Sequence, residues 1–289
     1  MTSPSPAPTS TPTARGSRRA AGRVGGVVTY AVLALVALTT IFPVLWMLYS
    51  SIKPTQDILR DVFAPPTTLY FGNFDAVLQD MLIWVKNSVL VTGISLAIIL
   101  VVSALAAYAF SQLRFRGREL LFVFMLVGLM VPAHALVVAG FKWISVLGIG
   151  GILALILTYG GWSSFGILVM RSFFDAVPKE IIEAARMDGA SHWKILTRVL
   201  LPLARPGIAT VTIFTFLWVW NDFVYPLVYL QRTEDLTVPI GILSFQSRQG
   251  VQWGPQMATL AIATIIPLVA YLIARRQFVR GIMQGAVKG

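Results

Sequence analysis

Long stretches without a charged residue limit this chain to folds that cross a membrane. Six apolar segments, the fifth interrupted only by Asp222, cover residues 24–52, 87–113, 120–141, 143–170, 206–230 and 257–274. A helix needs about 20 mostly apolar residues to cross the hydrocarbon core of a bilayer. We therefore predict an all-α membrane protein with six transmembrane helices.

The composition agrees with a membrane protein and excludes several kinds of chemistry. Only 12% of the residues are charged, whereas soluble domains carry about 25%. The chain has no cysteine, which excludes disulfides, thiol catalysis and cysteine-based metal sites. Its two histidines, His134 and His192, are far apart in the sequence. We therefore predict no metal site and no cofactor.

The net charge of +11 is distributed in a way that indicates orientation and not nucleic-acid binding. Most of the 23 lysines and arginines lie in the N-terminal tail, residues 114–118, residues 171–205 and the C-terminal tail. Lysine and arginine are enriched in the cytoplasmic loops of membrane proteins. We predict a multi-pass protein of the cell membrane, with both termini and residues 171–205 in the cytoplasm.

The chain is predicted to have three parts. Residues 1–23 are rich in Pro, Ser, Thr and Ala, a composition typical of disorder, and would form a cytoplasmic tail. Residues 24–82 would form the first transmembrane helix and an external loop, because the first apolar run exceeds the 7–15 residues or so of a signal-peptide core. Residues 83–289 would hold the other five helices.

The polar segment 178–202 interrupts this apolar chain and is predicted to be a helix-turn-helix between the fourth and fifth spans. Lys179–Met187 has helical spacing of apolar residues. Gly189 can adopt the left-handed conformation that ends helices, and Ser191 is a plausible N-cap for a second helix that runs to Pro202. Charge alone would also fit a solvated loop.

The same segment resembles the signature of ABC-importer permeases, which is Glu-Ala-Ala, a glycine four residues later and a distal Ile-x-Leu-Pro. The matching residues are Glu183, Ala184, Ala185, Gly189, Val199, Leu201 and Pro202, with valine where the family favours isoleucine. Looser similarity to carbohydrate (maltose-type) permeases lies in Lys53-Pro54, Asn87-Ser88, Ala106 to Phe110 and the C-terminal residues.

This resemblance implies a permease subunit of an ATP-driven, binding-protein-dependent sugar importer. Its expected partners are a second permease subunit, two cytoplasmic ABC ATPase subunits, an external solute-binding protein, the lipid bilayer and the sugar. The residues expected to couple transport to the ATPases are Glu183, Ala184, Ala185, Arg186, Asp188, Gly189, Leu201 and Pro202. The external loop 231–256 would contact the binding protein.

The chain is not expected to be an enzyme. It contains no GxxxxGK[ST] phosphate-binding loop, so ATP hydrolysis would take place in a separate subunit. Two alternatives remain open: an ABC permease for another small solute, such as a polyamine or an amino acid, and an ion-driven secondary transporter. The second is disfavoured because it would need buried ionisable residues and related repeats, and the chain offers essentially only Asp222.

Four residues are candidates for a substrate path. Trp220, Asn221 and Asp222 combine an aromatic ring with an amide and a carboxylate, which would suit a sugar. They would equally suit an interfacial belt with a helical break. His134 follows Pro132 and fits either a proline-kinked helix with a satisfied side chain or a place on the path.

Overall fold

The computed structural model describes the backbone of residues 15–66, 68–247 and 250–286 and the side chains of residues 28–66, 68–246 and 250–272. The predicted disorder of residues 1–14 lies outside the described residues. The chain divides into two compact units, Met1–Tyr49 and Ser50–Gly289.

Fourteen α-helices and one short β-hairpin are described. The helices are α1 (Arg15–Ser51), α2 (Thr55–Arg60), α3 (Gly72–Gln112), α4 (Arg118–Met130), α5 (Val137–Val146), α6 (Gly151–Gly160), α7 (Ser164–Asp175), α8 (Lys179–Met187), α9 (His192–Lys194), α10 (Leu201–Leu203), α11 (Arg205–Asn221), α12 (Val224–Tyr229), α13 (Val238–Gly241) and α14 (Trp253–Ala286). A π-helical segment covers Ile195–Leu200, and 3₁₀ turns cover Ala133–Leu136, Thr233–Asp235 and Ile242–Phe245. The antiparallel hairpin joins β1 (Gln246–Ser247) to β2 (Gly250–Val251).

Within the part of the chain that the structure describes, four helical segments are long and apolar enough to cross a membrane: Val28–Ser51, Gly72–Gln112, Gly151–Asp175 and Trp253–Leu272. Two bent pairs would bring the number to six if each pair is one span. Arg118–Met130 meets Ala133–Val146 at 90°, and His192–Leu203 meets Arg205–Asn221 at 77°. The mostly helical membrane fold agrees with the prediction from the sequence, whereas the number of six spans stays a prediction.

The helix bounds differ from the apolar runs at three places. The run 143–170 is divided between α5, α6 and α7, because a glycine-rich turn with Gly148 at φ 71° and Gly151 at φ 61° separates α5 from α6. Residues 15–23, for which disorder was predicted, begin α1. Their arginines and alanines are good helix formers.

The third difference is that α3 begins at Gly72, inside the segment predicted to be an external loop. Its first turns carry Asp75, Asp80 and Lys86, and all three residues are exposed. Val77, Met81 and Trp84 are buried, at the spacing of one helix face. The charged residues therefore shorten the apolar run without ending the helix.

Helix α3 is the centre of the second unit and packs against α6, α7, α11 and α14. The contact with α7 is close: a Cβ atom added at Gly166 would lie 2.1 Å from the Ser103 Oγ atom. Small residues let helix backbones approach in this way inside a membrane.

Candidate coupling segment and helix breaks

Helix α8 begins and ends at the residues that the sequence pattern predicts, and a tight turn follows it. Gly189 has φ 73°, the left-handed conformation that glycine adopts without steric cost. Its N–H donates to the Arg186 carbonyl over 3.0 Å, and the Ala190 N–H donates to the Ala185 carbonyl over 3.0 Å. The Ser191 hydroxyl accepts from the Lys194 N–H over 3.4 Å. These bonds satisfy backbone groups at the helix ends.

One side of α8 is anchored in the protein and the other is open. Ile182 is 4% exposed and belongs to a cluster with Ile99 of α3, Phe174 of α7 and Ile195. Glu183, Ala184, Arg186, Asp188 and Gly189 are exposed, and Ala185 is half-buried. Among the residues described, Glu183 forms no ion pair. The segment thus presents an unpaired carboxylate and small side chains on an anchored helix.

The segment His192–Leu203, which follows the turn, is not a regular α-helix. It passes from α9 through the π-helical segment to α10, and Pro202 lacks the N–H that a continuous helix would use. Leu201 is half-buried against the Ile182 cluster, whereas Pro202 is exposed. At Ala204 the chain turns sharply into α11, whose axis is at 77° to the segment His192–Leu203.

His192 is tied to the transmembrane bundle. Its Nδ1 atom lies 2.6 Å from the Tyr108 Oη atom of α3, near the end of that helix. The sequence does not reveal this partner of His192, because the contact joins residues that are 84 positions apart in the chain. The hydrogen bond connects the turn after α8 directly to α3.

Asp222 lies where the fifth apolar segment is broken between α11 and α12. Its Oδ2 atom accepts a hydrogen bond from the Tyr159 Oη atom over 2.6 Å, and its Oδ1 atom accepts from the Val224 N–H over 3.1 Å. The His134 Nε2 atom is 3.3 Å from Oδ1. The Asp222 side chain is 5% exposed and that of His134 is 60% exposed. The carboxylate is therefore held by protein groups on several sides.

The break beside His134 belongs to the same cluster. The chain turns by 90° between α4 and the segment that begins at Ala133, because a residue before proline avoids the helical conformation and Pro132 follows Val131. The Tyr225 hydroxyl donates to the Ala133 carbonyl over 2.6 Å. A side chain of α12 thus donates a hydrogen bond to the backbone of the segment that follows the break.

Trp220 and Asn221 lie apart from this cluster and line a cavity of about 280 Å³. The cavity is also lined by residues of α13, the following turn and α14, including Ile242, Thr264 and Pro267. Trp220 is 3% exposed and stacks on Phe216 with ring centroids 5.6 Å apart. The four predicted path residues are therefore divided between two places.

The comparisons with known proteins agree with the sequence signature. Residues 99–284 match the model of the family "Binding-protein-dependent transport system inner membrane component". The chain belongs to this family. Its members include permease subunits of ABC importers, and the chain is a multi-pass membrane permease of this kind.

Relatives with a curated name support this assignment. The osmoprotective compounds uptake permease protein GgtD of Synechocystis is 36% identical over 270 residues, which cover 89% of this chain and 90% of that protein. The trehalose/maltose transport system permease protein MalG of Thermococcus litoralis is 33% identical over 263 residues, which cover 88% and 94%. These similarities favour an ABC-importer permease over an ion-driven secondary transporter.

The fold is that of a solved ABC importer. The crystal structure of a bacterial ABC transporter involved in the import of the acidic polysaccharide alginate matches with a TM-score of 0.81 and 23% identity. The match covers 93% of this chain and the whole of that chain. At this level of identity the likeness shows the fold of the permease.

Two tyrosines that hold the helix breaks of this permease were missed from the sequence. Tyr159 is fully buried and Tyr225 is 2% exposed. Their rings lie 5.9 Å apart, and Trp162 packs edge-on against both. The only sequence signal was the presence of hydroxyl-bearing aromatics within apolar runs, and it does not name their partners. No group of His, Asp and Glu suited to a metal ion occurs among the described residues.

Proposed function

We propose that this permease is a subunit of an ATP-driven sugar importer. It would pair with a second permease, dock two cytoplasmic ATPase subunits and receive sugar from an external solute-binding protein. The observation that carries the proposal is the exposed Glu183 segment on an anchored helix. The name of the trehalose/maltose relative supports a sugar as the substrate class.

Helix α8 would transmit movement of the ATPases to the spans. Ile182 packs against side chains of α3 and α7, so a displacement of α8 cannot occur without displacing its neighbours in a close-packed core. Glu183 would form an ion pair with a basic group of the ATPase, and Ala184 and Ala185 would permit close approach. The turn at Gly189 would fix the orientation of α8 relative to the segment His192–Leu203. Arg186, Asp188, Leu201 and Pro202 complete the coupling segment in this proposal.

The orientation follows from the basic loops. The turn between α3 and α4 carries Arg114, Arg116 and Arg118, and it would lie on the same side of the membrane as α8 and both termini. That side would be the cytoplasm. The segment between α12 and α14 would then face the binding protein.

Trp220 and Asn221 are our candidates for contact with the passing sugar. They line the cavity beside Pro267, where an aromatic face and an amide would meet the two kinds of surface that a sugar presents. Asp222 and His134 were predicted to share this path. We now assign them to the support of the two helix breaks, because the Asp222 carboxylate already accepts hydrogen bonds from Tyr159 and Val224.

The experiment is co-purification of the tagged chain from its native membrane in mild detergent, followed by reconstitution in proteoliposomes. We expect a second permease and ATPase subunits to co-purify, and sugar uptake to require ATP and the binding protein. Recovery of the chain alone, with uptake driven by an ion gradient, would overturn the proposal. Uptake of an amino acid or polyamine in place of a sugar would refute the substrate class and leave the coupling proposal standing.

A further inference from the structure

An open groove of about 940 Å³ lies between α2, the start of α3 and the start of α14. It is distinct from the cavity beside Pro267, and the coupling segment does not contribute to it. Tyr70 and Trp253 bring aromatic rings to the groove, and Gln56 and Gln252 bring side-chain amides. None of the described residues that line it carries a charge.

The walls of the groove are fixed to one another by hydrogen bonds. The Gly254 N–H at the start of α14 donates to the Thr55 hydroxyl of α2 over 3.0 Å. The Asn73 side-chain amide of α3 donates to the Ser51 and Lys53 carbonyls over 2.9 and 2.8 Å. Residues 51–73 and the distant start of α14 thus hold a shape that a ligand need not induce.

Tyr70 is held in place by the backbone beneath it. Its N–H donates to the Ile52 carbonyl over 2.9 Å. A Cβ atom at Gly72 would lie 2.6 Å from the Tyr70 Cζ atom, so the ring lies directly over this glycine. Tyr70 is nevertheless 47% exposed, which leaves ring surface free for a ligand.

The two glutamines have unused hydrogen-bonding groups. Both residues are exposed, and among the described residues neither side-chain amide has a hydrogen-bond partner, whereas the Asn73 amide is engaged. An amide supplies both a donor and an acceptor, and an aromatic face supplies an apolar surface of defined orientation. Neutral oligosaccharides present hydroxyl groups and C–H faces side by side.

We propose that this groove binds a neutral oligosaccharide, with sugar faces on Tyr70 and Trp253 and hydroxyl groups on Gln56 and Gln252. The inference rests on the proposed function, because it takes the substrate class from that function and places the groove on the external side. It adds a binding site on the permease surface, separate from the cavity at Trp220. The absence of charge among the described lining residues disfavours an ionic ligand.

The test uses the complete transporter in nanodiscs with maltotriose, cellotriose and chitotriose as probes, and measures binding by isothermal titration without the binding protein. We expect one of the three to bind. Trp253→Ala and Tyr70→Ala should each weaken its binding at least tenfold. Gly72→Ala should weaken it by displacing the Tyr70 ring. Trp143→Ala is the matched control, because Trp143 is 74% exposed and does not line the groove.

Uptake by the wild-type complex, measured in parallel for the same sugars, separates the two proposals. The groove is not a sugar site if the complex imports a probe that the permease does not bind. The same holds if the three groove variants bind the probe as tightly as Trp143→Ala does. In either case the proposed function stands. If Trp253→Ala and Tyr70→Ala reduce only the affinity for the sugar-free binding protein, the groove is a protein-docking surface and the inference is wrong. A complex that binds none of the sugars and imports an amino acid or polyamine instead would contradict this inference and the substrate class of the proposed function.

Discussion

The Tyr159 hydroxyl donates to the Asp222 carboxylate over 2.6 Å, and this bond joins α6 to the break between α11 and α12. Both side chains are almost fully buried. A carboxylate in a membrane-spanning region is costly unless it faces protein or water, and here protein donors surround it. The arrangement explains how an apolar segment tolerates an aspartate: the residue stabilises an interruption of the helix.

The first prediction concerns Asp222→Ala. The substitution leaves the buried Tyr159 hydroxyl without an acceptor, which costs about 1–3 kcal/mol, and it removes the acceptor of the Val224 N–H. We expect a lower thermal unfolding temperature and reduced abundance in the membrane. The affinity for sugar in the remaining folded protein should be unchanged.

Fluorescence-detected unfolding in detergent and the substrate dependence of uptake would measure the two effects separately. Tyr30→Phe is a suitable control, since Tyr30 is 76% exposed. Normal abundance together with an altered dependence on sugar concentration would place Asp222 on the substrate path after all.

The second prediction tests the coupling segment with Glu183→Lys. Glu183 is exposed and has no ion-pair partner among the residues described, so reversal of its charge should leave insertion and stability intact. We expect loss of ATP-driven uptake, because a cation would meet the basic group proposed on the ATPase. The measurements are abundance, ATPase co-purification and uptake.

Glu180→Lys is the matched control for this change. Glu180 is also exposed, in the first turn of the same helix, and it lies outside the importer signature. Equal effects of the two substitutions would indicate a general sensitivity of α8 to charge, and normal uptake by Glu183→Lys would exclude the coupling role.

The sequence predicted local features better than contacts between distant segments. Periodicity and end signals were sufficient for α8, because the helix start at Lys179 and the turn at Gly189 depend on neighbouring residues. The apolar runs indicated a helical membrane protein for the same reason. Hydropathy did not reveal that residues 143–170 belong to three helices, since glycine turns there carry no charge.

The partners of the candidate site residues could not be read from the sequence. Asp222 and Tyr159 are 63 residues apart, and His192 and Tyr108 are 84 apart. Only the packing of α3, α6 and α12 decides which polar atoms meet. For the same reason the sequence did not predict that Trp220 and Asp222, which are near neighbours in the chain, lie at different sites.

The third prediction concerns the backbone of the turn after α8. Gly189 has a positive φ and nothing within 4 Å of an added Cβ atom, so Gly189→Ala should cost about 1–2 kcal/mol of conformational energy and no steric clash. Asparagine tolerates this conformation better, and Gly189→Asn should retain more stability and more uptake. Both effects can be followed by thermal unfolding and transport.

Gly93→Ala is the comparison for this pair. Gly93 lies inside α3, also with nothing within 4 Å, and has an ordinary φ. Alanine there should stabilise the helix by about 0.5–1 kcal/mol. Equal stability changes at the two glycines would mean that the positive φ of Gly189 does not matter.

The fourth prediction is that the contact between Tyr108 and His192 helps to couple the turn after α8 to α3. Tyr108→Phe removes a hydrogen bond of 2.6 Å at a cost of about 0.5–1.5 kcal/mol, which should leave the permease folded. We expect fewer sugar molecules imported per ATP hydrolysed.

His192→Ala should have a similar effect, and the double variant should be no worse than either single one, because both substitutions break the same contact. The ratio of uptake to ATP hydrolysis in proteoliposomes measures this directly. Additive losses in the double variant, or an unchanged ratio in Tyr108→Phe, would show that the hydrogen bond only stabilises the fold.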